Sequence, residues 1–263
     1  MNQSVQNTIY KYYNYLEERG YEVVGVFLFG SQNYGLDSEE SDIDAKAMVV
    51  PTIEDIYNGT KPANEHIYLG DKSTIVVKDV RLYCEEFMRQ GLSTLETLFT
   101  QYYCINPKYQ DIWDYLRANR ELICRYDIIR CIRAFVGTIS NQYNFLKNSI
   151  EYEMSIRYKS LCSMQFHKQM LYRYIDGENF EDILKLEHIE DFRETKFNCK
   201  YGVQEVLNIA QSILEESIIT KNDLIKYNPD CERNLEVEDI LYNAIKMTIN
   251  KSILQKKNNF LQM

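Results

Sequence analysis

VVGVFLFGSQNYGLDSEESDIDAKAMV, residues 23–49, decides how the rest of the chain is read. Its opening run, Val23 to Phe29, is aliphatic or aromatic throughout apart from Gly25, and it is too short and too apolar for a surface helix. Such a run suits a strand covered on both faces. It stops at Gly30, where the missing Cβ lets backbone approach a ligand closely, and Ser31 opens a turn whose N–H groups and hydroxyl can donate to phosphate oxygens. Eleven residues after that serine an alternation begins: Asp42, Asp44 and Lys46 fall on one side of an extended chain, and Ile43, Ala45, Ala47 and Val49 on the other. Two carboxylates on one face repel unless a cation lies between them, and hard oxygen ligands beside phosphates suit Mg²⁺ or Mn²⁺. An Asp-x-Asp pair alone is commonplace on solvated strand edges. Here its weight comes from the apolar strand and Gly-Ser turn that precede it.

Together these residues resemble the signature of the DNA polymerase beta-type nucleotidyltransferase superfamily, a Gly-Ser followed after about ten residues by Asp-hydrophobic-Asp, here Gly30-Ser31 and Ser41-Asp42-Ile43-Asp44. Tyr34-Gly35 within the loop, and the stretch Thr94 to Phe99 with Leu95, Glu96 and Leu98, are similar to the predicted bacterial and phage nucleotidyltransferases linked to RNA repair. The superfamily resemblance covers residues 23–99. It implies an α+β fold: a small mixed-sheet nucleotidyltransferase core with helices on one side over residues 1–105, then an all-helical C-terminal domain over 106–263. It implies an enzyme that moves a nucleoside monophosphate from a nucleoside triphosphate such as ATP to a hydroxyl acceptor, releasing pyrophosphate. The expected acceptor is an RNA or oligonucleotide 3′ end or another nucleotide. Two Mg²⁺ (or Mn²⁺) ions would be held by Asp42, Asp44 and a third carboxylate, with Gly30, Ser31, Tyr34 and Lys46 holding the nucleotide. Two other readings stay open: an AMPylating, antitoxin-like transferase acting on a protein partner, and a catalytically silent nucleotide-binding member.

For the third carboxylate, the resemblance points to an acidic residue on a neighbouring strand, and Asp79 ends the β-branched run Thr74 to Val80. Asp71 lies before that run and Glu85 after it. The alternative for Asp79 is an N-cap, since Leu82 to Gln90 has a helical pattern. Elsewhere in this half, Ser4 to Arg19 carries Val5, Ile9, Tyr12, Tyr13 and Leu16 at helical spacing, and Gly20 follows as a C-terminal stop. Thr52-x-x-Asp55 and Ser93-x-x-Glu96 both have the form of a capping box, and residues 58–73, with Gly59, Pro62 and Gly70, predict a loop.

Asn106-Pro107 starts a new helix and sets the domain boundary. Beyond it, stripes such as Ile132, Phe135, Val136 and Ile139, or Ile240, Leu241, Ala244 and Ile245, are core faces. The helix expected over about 151–175 carries Arg157, Lys159, His167, Lys168 and Arg173, with Lys159, His167 and Arg173 on one broad face. The resemblance implies a helical-domain base that reaches the triphosphate. Lys159 is the first candidate and Arg173 the second.

Composition limits the partners. The chain has 263 residues, with 30 lysines and arginines against 39 acidic residues, a net charge of −9. That balance gives no global attraction to nucleic acid, so any basic surface is local and the acceptor is expected to be short. Seven scattered cysteines without Cys-x-x-Cys spacing predict reduced thiols and a cytoplasmic protein. No apolar run reaches the length of a membrane span.

Overall fold

The computed structural model describes residues 2–38, 41–60, 64–69, 73–148, 153–227 and 233–261, so Pro62, Gly70 and the rival carboxylate Asp71 lie outside the described residues. Within them the chain is α+β. The strands are β1 (Val23–Leu28), β2 (Ala45–Val49), β3 (Asn64–Tyr68), β4 (Thr74–Asp79) and β5 (Tyr103–Ile105). The helices of the first half are α1 (Gln3–Glu18), α2 (Ile53–Tyr57), α3 (Val80–Met88), α4 (Leu92–Leu95), α5 (Gln110–Ala118) and α6 (Arg120–Cys124). Those of the second half are α7 (Ile128–Asn148), α8 (Met154–Ile175), α9 (Phe180–Ile183), α10 (Ile189–Arg193), α11 (Val203–Tyr227) and α12 (Leu235–Leu261).

The chain divides into two units. One comprises residues 1–33, 37–126 and 234–263, and the other residues 34–36 and 127–233. The first holds a mixed sheet of strand order β3-β4-β2-β1-β5. β1 runs antiparallel to β2 and β5, β2 is parallel to β4, and β3 is antiparallel to β4. All six residues of β1 are buried, as its unbroken apolar run predicts. On one face α1 places Val5, Ile9, Tyr12 and Leu16 against Val26, Leu28, Ala45, Ala47, Ile75 and Val77. On the other, Phe27 meets Tyr83 of α3 at 5.9 Å and Trp113 of α5 at 4.1 Å between ring centroids. Helices therefore cover both faces, not one. The reason is visible in β1, whose residues are apolar on both sides.

Two further expectations change here. Residues 64–68 are not loop: they form edge strand β3, whose Ile67 is buried while its Tyr68 is 78% exposed. A strand that buries so little has almost no period-2 signal of its own, and pairing with β4 is what orders it. Nor do residues 106–263 form one helical domain. Helices α5, α6 and α12 belong to the sheet-bearing unit. Ser252 of α12 donates to Glu22 at 2.6 Å, and Tyr126 donates to Glu238 at 2.5 Å. A helical stripe states that a face is covered and is silent about what covers it.

The second unit is built on α7, α8 and α11, whose Ile139, Leu146, Leu161, Met164, Val206, Ala210 and Ile213 form one core. It also takes in Tyr34–Leu36, where Leu36 is buried with Cys162 and Phe192.

Candidate active site

The antiparallel register of β1 and β2 pairs Leu28 with Ala45, and Phe29 N–H donates to the Asp44 carbonyl at 3.1 Å. The Gly-Ser turn at the end of β1 therefore lies beside the Asp-Ile-Asp segment that leads into β2. Gly30 has φ +93, a left-handed conformation that a Cβ would strain. After it Ser31–Tyr34 forms a single 3₁₀ turn, closed by Asn33 N–H to the Gly30 carbonyl at 2.9 Å. Both aspartates precede the regular strand, which starts at Ala45. Ile43 packs toward the α1 side of the sheet, as the alternation predicts, and Asp42 is exposed. Asp44 is half-buried and accepts from Thr74 N–H at 2.9 Å. That bond ties the carboxylate to the start of β4.

Asp79 does not join them. Because β2 and β4 are parallel, Ala45 pairs with Ile75 and Val49 with Asp79. Asp44 thus adjoins one end of β4, and Asp79 ends it five residues further on, roughly 16 Å away at about 3.3 Å per residue. Asp79 is 1% exposed and caps α3, accepting from the N–H groups of Arg81 at 2.8 Å and Leu82 at 3.2 Å while pairing with the Arg81 guanidinium at 2.8 Å. Its role is the N-cap. Glu85, the other rival, pairs with Arg89 on the same helix.

Lys46 follows the aspartates in the alternation, yet it is committed inward. Only 4% exposed, its ammonium donates to Ser93 Oγ at 2.8 Å and Thr94 Oγ1 at 2.7 Å and lies 5.2 Å from the Phe29 ring centroid. Thr94 in turn donates to Glu86 at 2.9 Å, and Glu86 pairs with Lys78 at 2.6 Å. Burial, helped by the charge of Lys78, lowers the Lys46 pKa to about 8 against the opposing pull of Glu86 and Glu96.

The Ser93-x-x-Glu96 pair is no capping box: α4 starts after Gly91 with no side-chain cap. Its two members serve the turn and its neighbours instead. Glu96, 4% exposed, accepts from Gly30 N–H at 2.5 Å and from Asn33 Nδ2 at 3.3 Å. Asn33 also donates to the Leu28 carbonyl at 3.2 Å and accepts from Thr100 at 2.7 Å. Glu96 and Asn33 thus frame the turn, a role the sequence does not announce: it suggests a cap for Glu96 and nothing for Asn33. The available signal was a carboxylate set between the buried Leu95 and Leu98, a position at which an unpaired charge is costly.

Tyr34, Lys159 and Arg173 belong to the second unit. The Tyr34 ring lies 5.3 Å from that of Phe166. Gly35 has φ +68, its carbonyl accepts from Arg193 at 2.7 Å, and a Cβ there would meet Ile189 at 3.0 Å. Tyr34-Gly35-Leu36 is therefore an anchor packed among helices. Arg173 is taken up by Glu178 at 2.6 Å and the Lys185 carbonyl at 2.7 Å, a structural role. Arg157 is 1% exposed and donates to the Leu146 carbonyl at 3.1 Å, so it is no part of a basic surface. Lys159 is exposed.

Compared with known protein families and with curated proteins, the chain matches none. Among the described residues no group of three or more His, Cys, Asp or Glu side chains is arranged to hold a metal ion, and no helix is long and apolar enough to cross a membrane.

Proposed function

We propose that this chain is a divalent-metal-dependent nucleotidyltransferase that moves a nucleoside monophosphate from a nucleoside triphosphate to the hydroxyl of an RNA or oligonucleotide 3′ end or of a nucleotide. The observation that carries the reading is the β1–β2 register, extended by Phe29 N–H to the Asp44 carbonyl, by which Gly30-Ser31 leaves β1 at the end of β2 that Asp42-Ile43-Asp44 enters. A turn offering N–H and hydroxyl donors next to two carboxylates suits a phosphate and the cation that accompanies it.

The donor set fits Mg²⁺ or Mn²⁺. Such ions are bound through one or two carboxylates completed by substrate phosphates and water, so Asp42 and Asp44 suffice for one ion without a third protein ligand. When bound, the ion neutralises phosphate charge that builds up during transfer. With Asp79 serving as a cap, the carboxylates among the described residues account for one such ion. The remaining work is positioning. Ser31 and the turn behind it orient phosphate oxygens, and Glu96 holds the Gly30 amide so that the turn has its shape before any ligand arrives.

The test is incubation with each α-labelled nucleoside triphosphate and Mg²⁺ or Mn²⁺, with products resolved by size. Labelled nucleic acid or nucleotide is expected, and Asp42→Asn or Asp44→Asn should abolish it with the fold intact by circular dichroism. Wild-type turnover in either variant would overturn the site. Label found only on protein would replace this reading with protein AMPylation.

A further inference from the structure

Helices α7 and α8, of 21 and 22 residues, contain no aspartate or glutamate, although the chain average would put about six there. They carry seven lysines and arginines. Four of these are committed: Arg130 to Asp127, Arg157 to the Leu146 carbonyl, Lys168 to Glu216 and Arg173 to Glu178. Arg133, Lys147 and Lys159 are exposed and have no ion pair among the described residues. In a protein of charge −9 these two helices contribute basic residues and no acidic ones of their own.

A groove of about 380 Å³ opens between them, lined by Asn141, Gln142 and Phe145 from α7 and by Ile156, Lys159, Ser160 and Ser163 from α8. Its size is that of a small-ligand site. The lining is not a generic polar surface. Two carboxamides offer donors and acceptors together, as a nucleobase edge requires, Phe145 adds an aromatic ring for stacking, and Lys159 supplies a cation for phosphate. No lining group would repel an anion.

We propose that this groove binds a single-stranded nucleic acid, seating one base between Phe145 and the amides with its phosphate at Lys159. The proposal rests on the transferase reading for its meaning, since the strand would be the acceptor, yet its evidence lies wholly within the second unit. Because one lysine faces the groove, few phosphates are neutralised and the salt dependence of binding is shallow.

The experiment is fluorescence anisotropy of a short labelled single-stranded oligonucleotide on the full chain, titrated with salt, for wild type, Lys159→Glu, Asn141→Asp and the remote charge reversal Lys226→Glu. Lys159→Glu and Asn141→Asp should each weaken binding about tenfold or more with unchanged melting temperature. Lys159→Glu should also flatten the slope of log affinity on log salt by about 0.7 for each phosphate that is no longer neutralised. Lys226→Glu should bind as wild type does. Equal binding by wild type and both groove variants would overturn the proposal. So would competition by polyglutamate as effective as competition by unlabelled strand. Asp44→Asn separates this proposal from the function it rests on. If Asp44→Asn and wild type bind the strand, the groove variants do not, and wild type transfers no label, the groove stands and the transferase reading falls. If label is transferred to an acceptor that the groove variants bind normally, the transferase stands and the groove falls.

Discussion

Replacing Glu96 by alanine should destabilise the sheet-bearing unit by an amount that its hydrogen bonds set. The carboxylate is 4% exposed and accepts from Gly30 N–H at 2.5 Å and Asn33 Nδ2 at 3.3 Å. Asn33 keeps its bond to the Leu28 carbonyl, so the main loss is at Gly30. A hydrogen bond to a charged group contributes about 1.5–3 kcal/mol, and each buried methylene removed adds about 0.8 kcal/mol. Relief of the cost of burying a carboxylate offsets part of this. The net expectation is a loss of about 2–4 kcal/mol, or roughly 5–15 °C in melting temperature for a unit of this size. Glu96→Gln keeps an oxygen at the same reach and should cost about 1 kcal/mol. Thermal melts at pH 7 report the stabilities, and hydrogen exchange at the Gly30 amide reports the bond itself. That exchange should accelerate in Glu96→Ala and stay slow in Glu96→Gln. An alanine variant that melts with wild type would refute the argument. A glutamine variant as unstable as alanine would show that charge, not an acceptor oxygen, holds the turn.

The buried Lys46 makes stability depend on alkaline pH. Its pKa of about 8 in the fold lies below the ordinary lysine value of 10.5, so between these limits the unfolded chain binds more protons and stability rises with pH. The rise from this group is about 2–4 kcal/mol, complete near pH 10.5 and absent below about 8. Urea titrations across that window should show a smaller rise in Lys46→Met than in wild type, and parallel curves would sink the assignment. At Gly25 a Cβ would lie 2.5 Å from Ile105 Cδ1 and 2.7 Å from the Phe27 ring. Gly25→Ala should therefore lower the urea midpoint by an amount equivalent to about 1–3 kcal/mol with no change in the slope of the transition. An unchanged midpoint would mean the β1–β5 packing yields freely.

What the sequence alone determined is what a few consecutive residues encode. The apolar run of β1, the alternation through Ile43 and Ala47, the helix closed before Gly20, and the Thr52-x-x-Asp55 box, with Asp55 N–H donating to Thr52 at 3.0 Å, all depend on neighbours within one or two turns. The proximity of Gly30-Ser31 to Asp42 and Asp44 follows almost as directly, because a loop of modest length joins antiparallel neighbours. Tertiary structure decided the rest. Whether Asp79 stands beside Asp44 or at the far end of the sheet depends on β2 and β4 being parallel, and direction of pairing leaves no mark on either strand's composition. That Glu96 serves Gly30 rather than capping its own helix, and that Lys46 turns toward Ser93 and Thr94, reflects hydrogen bonds across more than forty residues of chain. The amphipathic stripe of α12 is legible as a buried face, but its return to Glu22 through Ser252 spans the length of the chain. Periodicity reports that a surface is covered, and only the folded chain supplies the partner, because that choice is made by packing between segments remote in sequence.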